Sequence, residues 1–540
     1  MSLPRLLGML LLLLPAVAGA EPGTVTLLAV NDVYRIAGVD GGRAGGLARL
    51  RSLRRALERE DPELVLLHAG DFLFPSPLSR QFRGAQMVDV MNRLDGDPAA
   101  FDRRMVVVFG NHEFDRARLE DAGLLNARLR EARFHWLGSN IRFRRDAGGR
   151  PRVAGGPLAD RVMLEANGVR LCLFGLTIDS KRAEYIEAYD DPVETARRLT
   201  RELRGAGCGL VVALTHLTMA QDQALLRALG DQGPDLVVGG HEHLRQSARV
   251  NGRWVIKSDA DAVRAAVIRV TPRPGGPPEV RYRYRRLDAS LAPDPQVAAR
   301  VAHWQARYDR AYCGGRLGLP PGCLDQVLTR AGTRLVAEEL AIRRYETNLG
   351  DWIADRALEA FRPRGAQVAF INSGSLRLNR DIPAGRPITR RDVEALFAYP
   401  TPLKLLRIDG ATLKKVVTRA VQDWTGNGWW LQVAGFAFRF DPAGGGVRDL
   451  TLLGPDGPRP LGPGEAVLAV TNGFLAGGGD GYHMLAGAEV VLDPRPPVDL
   501  KDLVIRALEA AGEAGIAPAL AGRICNPTRP GPCLAVPAAP

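Results

Sequence analysis

At 540 residues the chain is too long for one hydrophobic core, and two or three domains are expected. With 46% hydrophobic and 24% charged residues, its composition excludes a disordered or fibrous protein. The net charge of +12 favours anionic partners, but the arginines are scattered without a long basic run, so nucleic acid is not expected as a structural partner.

Residues 1–20 read as a secretory signal: Arg5 supplies the charged start, residues 6–14 the apolar run, and Ala18-Gly19-Ala20 the small-residue cleavage site. The run is too short to span a bilayer, and nothing apolar extends it past Ala20. No later segment reads as transmembrane or as a lipid-anchor tail. The expectation is an exported protein, periplasmic or extracellular, with no stable membrane anchor after cleavage. Cysteine usage agrees with export. Cys313 and Cys323, like Cys525 and Cys533, flank short Gly/Pro loops and suit local disulfides. Cys172 and Cys208 lie in or beside apolar strand patterns and read equally as buried thiols or a third bridge. There is no Cys-x-x-Cys pair, so a thiolate zinc site is not expected.

After the signal, a strand over 24–30 runs into Asn31-Asp32-Val33-Tyr34. A helix over about 43–58 follows, then a strand over 64–68 ending in Ala69-Gly70-Asp71. A third strand, 105–109, ends in Gly110-Asn111-His112-Glu113-Phe114-Asp115. Strands over 169–177, 210–214 and 235–238 continue the alternation, the last two ending in Thr215-His216 and Gly239-Gly240-His241-Glu242-His243. Alternating strands, polar termini and helices predict an α/β layered domain. Ligands of such sheets bind at the carboxyl ends of the strands. Alone, Asn111 reads equally as a helix cap. Taken together, five strand ends deliver Asp32, Asp71, Asn111, His216, and His241 with His243. These oxygen and imidazole donors suit two divalent metal ions, Zn²⁺, Mn²⁺ or similar, with Asp71 as the natural bridge. His112 and Asp115 form an imidazole–carboxylate pair suited to catalysis.

The series Asn31-Asp32, Gly70-Asp71, Gly110-Asn111-His112-Glu113, Thr215-His216 and Gly240-His241-Glu242-His243 resembles the calcineurin-like metallophosphoesterases, and within them the secreted 5′-nucleotidase family. The resemblance implies an α/β protein: a four-layer αββα metallophosphoesterase domain, a linker helix, and a smaller α/β C-terminal substrate domain. We place the catalytic domain at 21–290, the linker helix and Cys loop at 291–325, and a nucleotide-binding domain at 326–540. The family's C-terminal motifs are resembled by Glu346-Thr347-Asn348-Leu349-Gly350-Asp351, Asn372-Ser373-Gly374-Ser375-Leu376-Arg377, Leu396-Phe397-Ala398-Tyr399-Pro400, and the run from Asn472 to Tyr482. In these segments Tyr399 and Phe474 are placed to clamp a planar base, and Asp480 to accept hydrogen bonds from ribose hydroxyls. Asn372 belongs to the same substrate set, and Arg343 and Arg377 are candidates to fork onto a phosphate.

The implied activity is release of phosphate from nucleotides, by attack of a metal-bridging hydroxide on phosphorus. His112, oriented by Asp115, would stabilise developing charge, and Asn111 would serve a metal and a phosphate oxygen. The family usually carries a histidine where this chain has Tyr34, which weakens the first metal site, changes its ion, or leaves a gap that water fills. By strand alternation the phenol points toward that metal only if the strand continues through Val33. Ser373 stands where the family often has glycine. Two other readings stay open: a nucleotide-binding protein with an impaired metal site, and a relative acting on a carrier-bound sulfur species. The preferred nucleotide, the metal identity and the oligomeric state are left open.

Overall fold

The computed structural model describes residues 23–180, 182–422, 427–442, 446–526 and 532–534. The expected signal segment lies outside them. The chain divides into two compact units. One comprises residues up to Phe74 and Phe82–Ala302; the other comprises Pro75–Gln81 and the chain from His303 onward. The boundary falls inside the helix Pro295–Arg310.

In the first unit two sheets lie face to face. One is ordered Gly276–Arg286, Arg264–Arg273, Val25–Val30, Val65–His68, Asp102–Val108, Phe134–Leu137, Leu158–Ala159. Its inner strands are parallel, and an antiparallel hairpin closes one edge. That hairpin runs through a stretch rich in Pro, Gly and Arg near 271–287. The other sheet is ordered Gln246–Val250, Arg253–Lys257, Leu236–Gly239, Leu210–His216, Val169–Thr177, Arg161–Ala166. Its four inner strands are likewise parallel.

Strand alternation explains the layering. Leu27, Ala29, Val65, Leu67, Val106 and Val108 of the first sheet share one core with Leu171, Leu173, Val212, Leu214 and Val238 of the second. The intervening residues point outward. On the second sheet, Cys172, Phe174, Val211 and Ala213 pack under the helices Pro192–Gly205 and Met219–Leu229, against Leu199, Leu203, Leu225 and Leu226. On the first sheet, Leu47–Glu58 buries Leu47, Leu50, Leu53 and Leu57, and its Arg54 pairs with Asp102 on the strand edge. This is the expected four-layer arrangement. Burial on both faces is why these parallel strands read as continuous apolar runs.

The second unit is built on a five-stranded mixed sheet, ordered Leu431–Ala434, Val368–Asn372, Ala466–Asn472, Leu403–Asp409, Glu489–Leu492. Asn348–Phe361 and Leu500–Ala511 share a core with one face of it. Gly410–Val421 and a four-stranded sheet share a core with the other.

Three disulfides are formed: Cys313–Cys323, Cys525–Cys533 and Cys172–Cys208. The last settles the open alternative for that pair in favour of a bridge. Among the described residues, no helix is long and apolar enough to cross a membrane.

Candidate metal centre

The carboxyl ends of both parallel sheets converge on one cluster. Ligand atoms of Asp32, Asp71 and His243 all lie within 4.8 Å of one another. Asp32 and Asp71 are fully buried. Around them, His216 Nε2 is 3.2 Å from Asp71 Oδ2 and 3.9 Å from Asp32 Oδ1. His241 Nδ1 is 3.2 Å from Asn111 Oδ1, and the His241 N–H donates to Asp32 Oδ2 at 3.0 Å. All six expected metal-ligating residues are thus linked by short contacts. Asn111 makes no side-chain cap to the turn that follows it, so its capping reading falls.

The backbone is bent to bring these groups together. Asp32, Asp71, His241 and His243 all have positive φ, at 51°, 59°, 89° and 62°. Four non-glycine residues in that region at one site mark local strain held by surrounding structure. Glu113 supplies part of the hold. Its buried carboxylate accepts from the N–H groups of Gly110, Asp71, Phe72 and Leu73 at 2.6–3.0 Å. The His112 N–H donates to Asp71 Oδ1 at 2.7 Å. Gly110 has to be glycine, because a Cβ there would fall 2.1 Å from Asp71 Oδ1. Asp261 holds the first loop by accepting from the N–H groups of Tyr34 and Arg35, each at 2.9 Å. Lys257, fully buried, donates from Nζ to Leu217 O at 2.6 Å and Gly240 O at 2.9 Å. The same ammonium pairs with Asp222 and Glu242. It ties together the segments just after His216 and just before His241.

Glu113, Asp261 and Lys257 were assigned no role from sequence. Lys257 was within reach: it ends the apolar strand Arg253–Lys257, the same strand-end signal that picked out His216.

Electrostatics follow from burial and crowding. Burial alone would raise Asp32 and Asp71, but the neighbouring imidazoles hold both below the usual carboxylate range, His243 and His216 acting on Asp32 and His216 and His112 on Asp71. Burial alone would lower His216, yet the Asp71 and Asp32 carboxylates push it up to about 10. Burial and the His216 charge take His241 down to about 3, so it stays neutral. Burial and then the Asp71 charge push Glu113 up to about 7.

His112 Nδ1 lies 3.0 Å from both oxygens of Asp115, as the paired reading expected, and its Nε2 is 3.9 Å from Asp71 Oδ2. Tyr34 departs from the alternation argument. The strand stops at Val30 and Asp32 has positive φ, so Asp32 and Tyr34 do not share a strand face. The phenol nevertheless reaches the centre through the turn. Its oxygen lies 2.9 Å from Asp71 Oδ2, 2.9 Å from His243 Nε2 and 3.3 Å from Asp32 Oδ1.

This donor set fits metal ions. His216 Nδ1 faces the Ala69 carbonyl at 2.7 Å, which can only accept, so Nδ1 carries the proton and Nε2 faces the carboxylates. That Nε2 is buried 3.2 Å from Asp71 Oδ2 without hydrogen-bond geometry. A bound ion would take the place of the second proton that the carboxylates favour on the ring.

The second unit holds the other candidate residues. Asn372 Nδ2 donates to Asp480 Oδ2 at 3.0 Å, and Asn372 Oδ1 accepts from Asn472 Nδ2 at 2.8 Å. Asp480 sits at φ 55°, and its carbonyl accepts from Arg419 Nε. Phe474 is 57% exposed, a large aromatic face open to a ligand. It packs over Gly479, where a Cβ would fall 2.5 Å from the ring. The Arg377 guanidinium lies 5.5 Å over the Tyr399 ring and its Nε donates to Gly374 O. Arg343 is buried and paired with Glu339 at 2.9 Å. Ser373 is buried beside the Asn372–Asp480 contact.

Comparison with known proteins agrees with this division. Residues 25–245 match the calcineurin-like phosphoesterase family model, and residues 328–487 match the 5′-nucleotidase C-terminal domain. A snake venom 5′-nucleotidase from Gloydius brevicauda is 27% identical over 515 residues, spanning 86% of this chain and 82% of the relative. The crystal structure of a 5′-nucleotidase precursor from Thermus thermophilus superposes with a TM-score of 0.78 at 26% identity, over 94% of this chain and all of that one. The sulfate thiohydrolase SoxB of Thermus thermophilus shares the fold, with a TM-score of 0.69 at 19% identity over 95% and 98% of the two chains. With a calcineurin-like phosphoesterase domain and a 5′-nucleotidase C-terminal domain in sequence on one chain, the protein belongs to the 5′-nucleotidase family of calcineurin-like metallophosphoesterases.

Proposed function

We propose that this chain is an exported, metal-dependent phosphohydrolase that releases phosphate from nucleotides. The observation that carries the reading is the clustering of the strand-end donors around Asp32 and Asp71. Asp32 and His243 would serve one ion, and His216, Asn111 and His241 a second ion sharing Asp71. Ions held there would supply Lewis-acid chemistry, neutralising phosphate oxygens and lowering the pKa of water.

The chain's own groups complete the reaction. Asp115 fixes the His112 ring through Nδ1, so Nε2 is the atom that meets charge developing on the phosphate or the leaving oxygen. Asn111 contributes its amide to a phosphate oxygen as well as to an ion. In the second unit Phe474 offers a face for the base, and Asp480, braced by Asn372, accepts from ribose hydroxyls. Tyr399 is the second aromatic of the base site, and Arg377, Arg343 and Asn372 complete the substrate set. The three disulfides support an oxidising compartment and hence export.

One observation favours a nucleotide-binding protein without turnover: Tyr34 in place of a histidine. The position of its phenol among donor atoms counts against that reading. The deciding experiment is phosphate release from nucleoside monophosphates, diphosphate sugars and cyclic nucleotides with each divalent ion, for the natural chain, Asp71→Ala and His241→Ala. Turnover that disappears in both folded variants is expected. Full turnover in either would overturn the assignment.

A further inference from the structure

We propose that Tyr34 is itself a metal ligand, its phenolate oxygen completing the position framed by Asp32, Asp71 and His243, and that this position takes a hard trivalent ion of the ferric class. The inference rests on the metal dependence proposed above and specifies one ligand and one ion.

The shape of the donor cluster carries it. Around an ion about 2.1 Å from each donor, neighbouring donors lie roughly 3.0 Å apart at right angles and roughly 3.4 Å apart at tetrahedral angles. The Tyr34 oxygen lies 2.9, 2.9 and 3.3 Å from Asp71 Oδ2, His243 Nε2 and Asp32 Oδ1. Asp32 Oδ1 is 3.3 Å from His243 Nε2. All four separations match the edges of one coordination polyhedron, with the phenol oxygen as a vertex.

As the metal–oxygen bond forms, the phenol proton leaves to solvent.

Hardness then selects the ion. Two carboxylates and a phenolate are hard, anionic oxygen donors, a set that favours a hard trivalent ion over the softer divalent ones.

The test uses the mature full-length protein, stripped with a chelator and reloaded in separate samples with ferric nitrilotriacetate, Zn²⁺ or Mn²⁺. Bound metal, visible absorption and phosphate release are read on each. One tightly held ferric ion per chain with a visible phenolate-to-iron charge-transfer band is expected. Tyr34→Phe, which keeps the ring, should bind the ferric ion at least tenfold more weakly and be colourless, while the stripped variant still unfolds cooperatively. Tyr34→His should hold Zn²⁺ or Mn²⁺ at least as well and show no band. A ferric ion bound without colour, a band that survives Tyr34→Phe, or exclusion of the ferric ion overturns the inference. If Zn²⁺- or Mn²⁺-loaded protein still releases phosphate in those cases, the proposed function stands without it. If no ion binds and nothing is hydrolysed, both fail.

Discussion

Lys257 offers a sharp test of how the centre is held. Its Nζ contacts Asp222 at 2.9 Å, Glu242 at 2.7 Å, Leu217 O at 2.6 Å and Gly240 O at 2.9 Å, with the ammonium and Asp222 both fully buried. Glu242 is partly exposed, with a side chain 22% open, and water can serve it when the ammonium goes. Asp222 cannot be rescued that way: apart from Lys257, its side-chain partner is the Thr215 hydroxyl at 2.8 Å. Lys257→Met keeps the stem's volume and strands that carboxylate. Breaking a buried pair from one side costs about 3–5 kcal/mol. At roughly 2–4 °C per kcal/mol, the thermal midpoint of the transition containing the first unit should drop by roughly 6–20 °C. Because Leu217 and Gly240 adjoin His216 and His241, affinity for the ions should fall as well. Adding Asp222→Asn to Lys257→Met should recover part of the loss, since contacting sites are not additive. The assay is calorimetry on stripped protein with disulfides intact, followed by metal titration. A loss below about 1 kcal/mol, or no recovery in the double variant, would refute the reasoning.

Three other outcomes are expected. His112→Ala should lower kcat by about 10²–10⁴-fold while metal content stays near normal, and loss of an ion in that variant would make His112 a ligand instead. Phe474→Ala and Asp480→Ala should impair nucleotide turnover far more than turnover of a simple aryl phosphate, and equal losses on both substrates would point to a folding role. Burial and the Glu346 charge push Asp351 up to about 9, so the folded state keeps a proton that the unfolded chain releases at about pH 4. The stability from that proton is complete below about pH 4 and is lost as pH rises through about 9. Asp351→Asn removes the dependence, so its urea midpoint relative to the natural chain should climb between pH 5 and 9, and a constant difference would count against the shift.

Much of the site was legible because it obeys local rules. Parallel strands buried on both faces leave long apolar runs such as 65–68 and 210–214, and each run stops where a candidate ligand begins. Asp71, Asn111, His216 and His241 could therefore be named from strand ends alone. The imidazole–carboxylate pair of His112 and Asp115 was equally visible, being three residues apart on one turn. Other features depend on distant segments meeting, which no local pattern encodes. Cys172 and Cys208 are bridged because the strands Val169–Thr177 and Leu210–His216 pair in parallel, setting their starting ends side by side. The grip of Glu113 on Asp71, Phe72 and Leu73 exists because two neighbouring strands end at the same height. Lys257 meets Leu217 and Gly240 across three adjacent strands. Tyr34 shows the division most clearly. Its identity as a departure could be read from residue order, but alternation could not place the phenol, because the strand had already ended at Val30. A turn with Asp32 at positive φ, pinned by Asp261 some 227 residues away, carries the oxygen to the carboxylates.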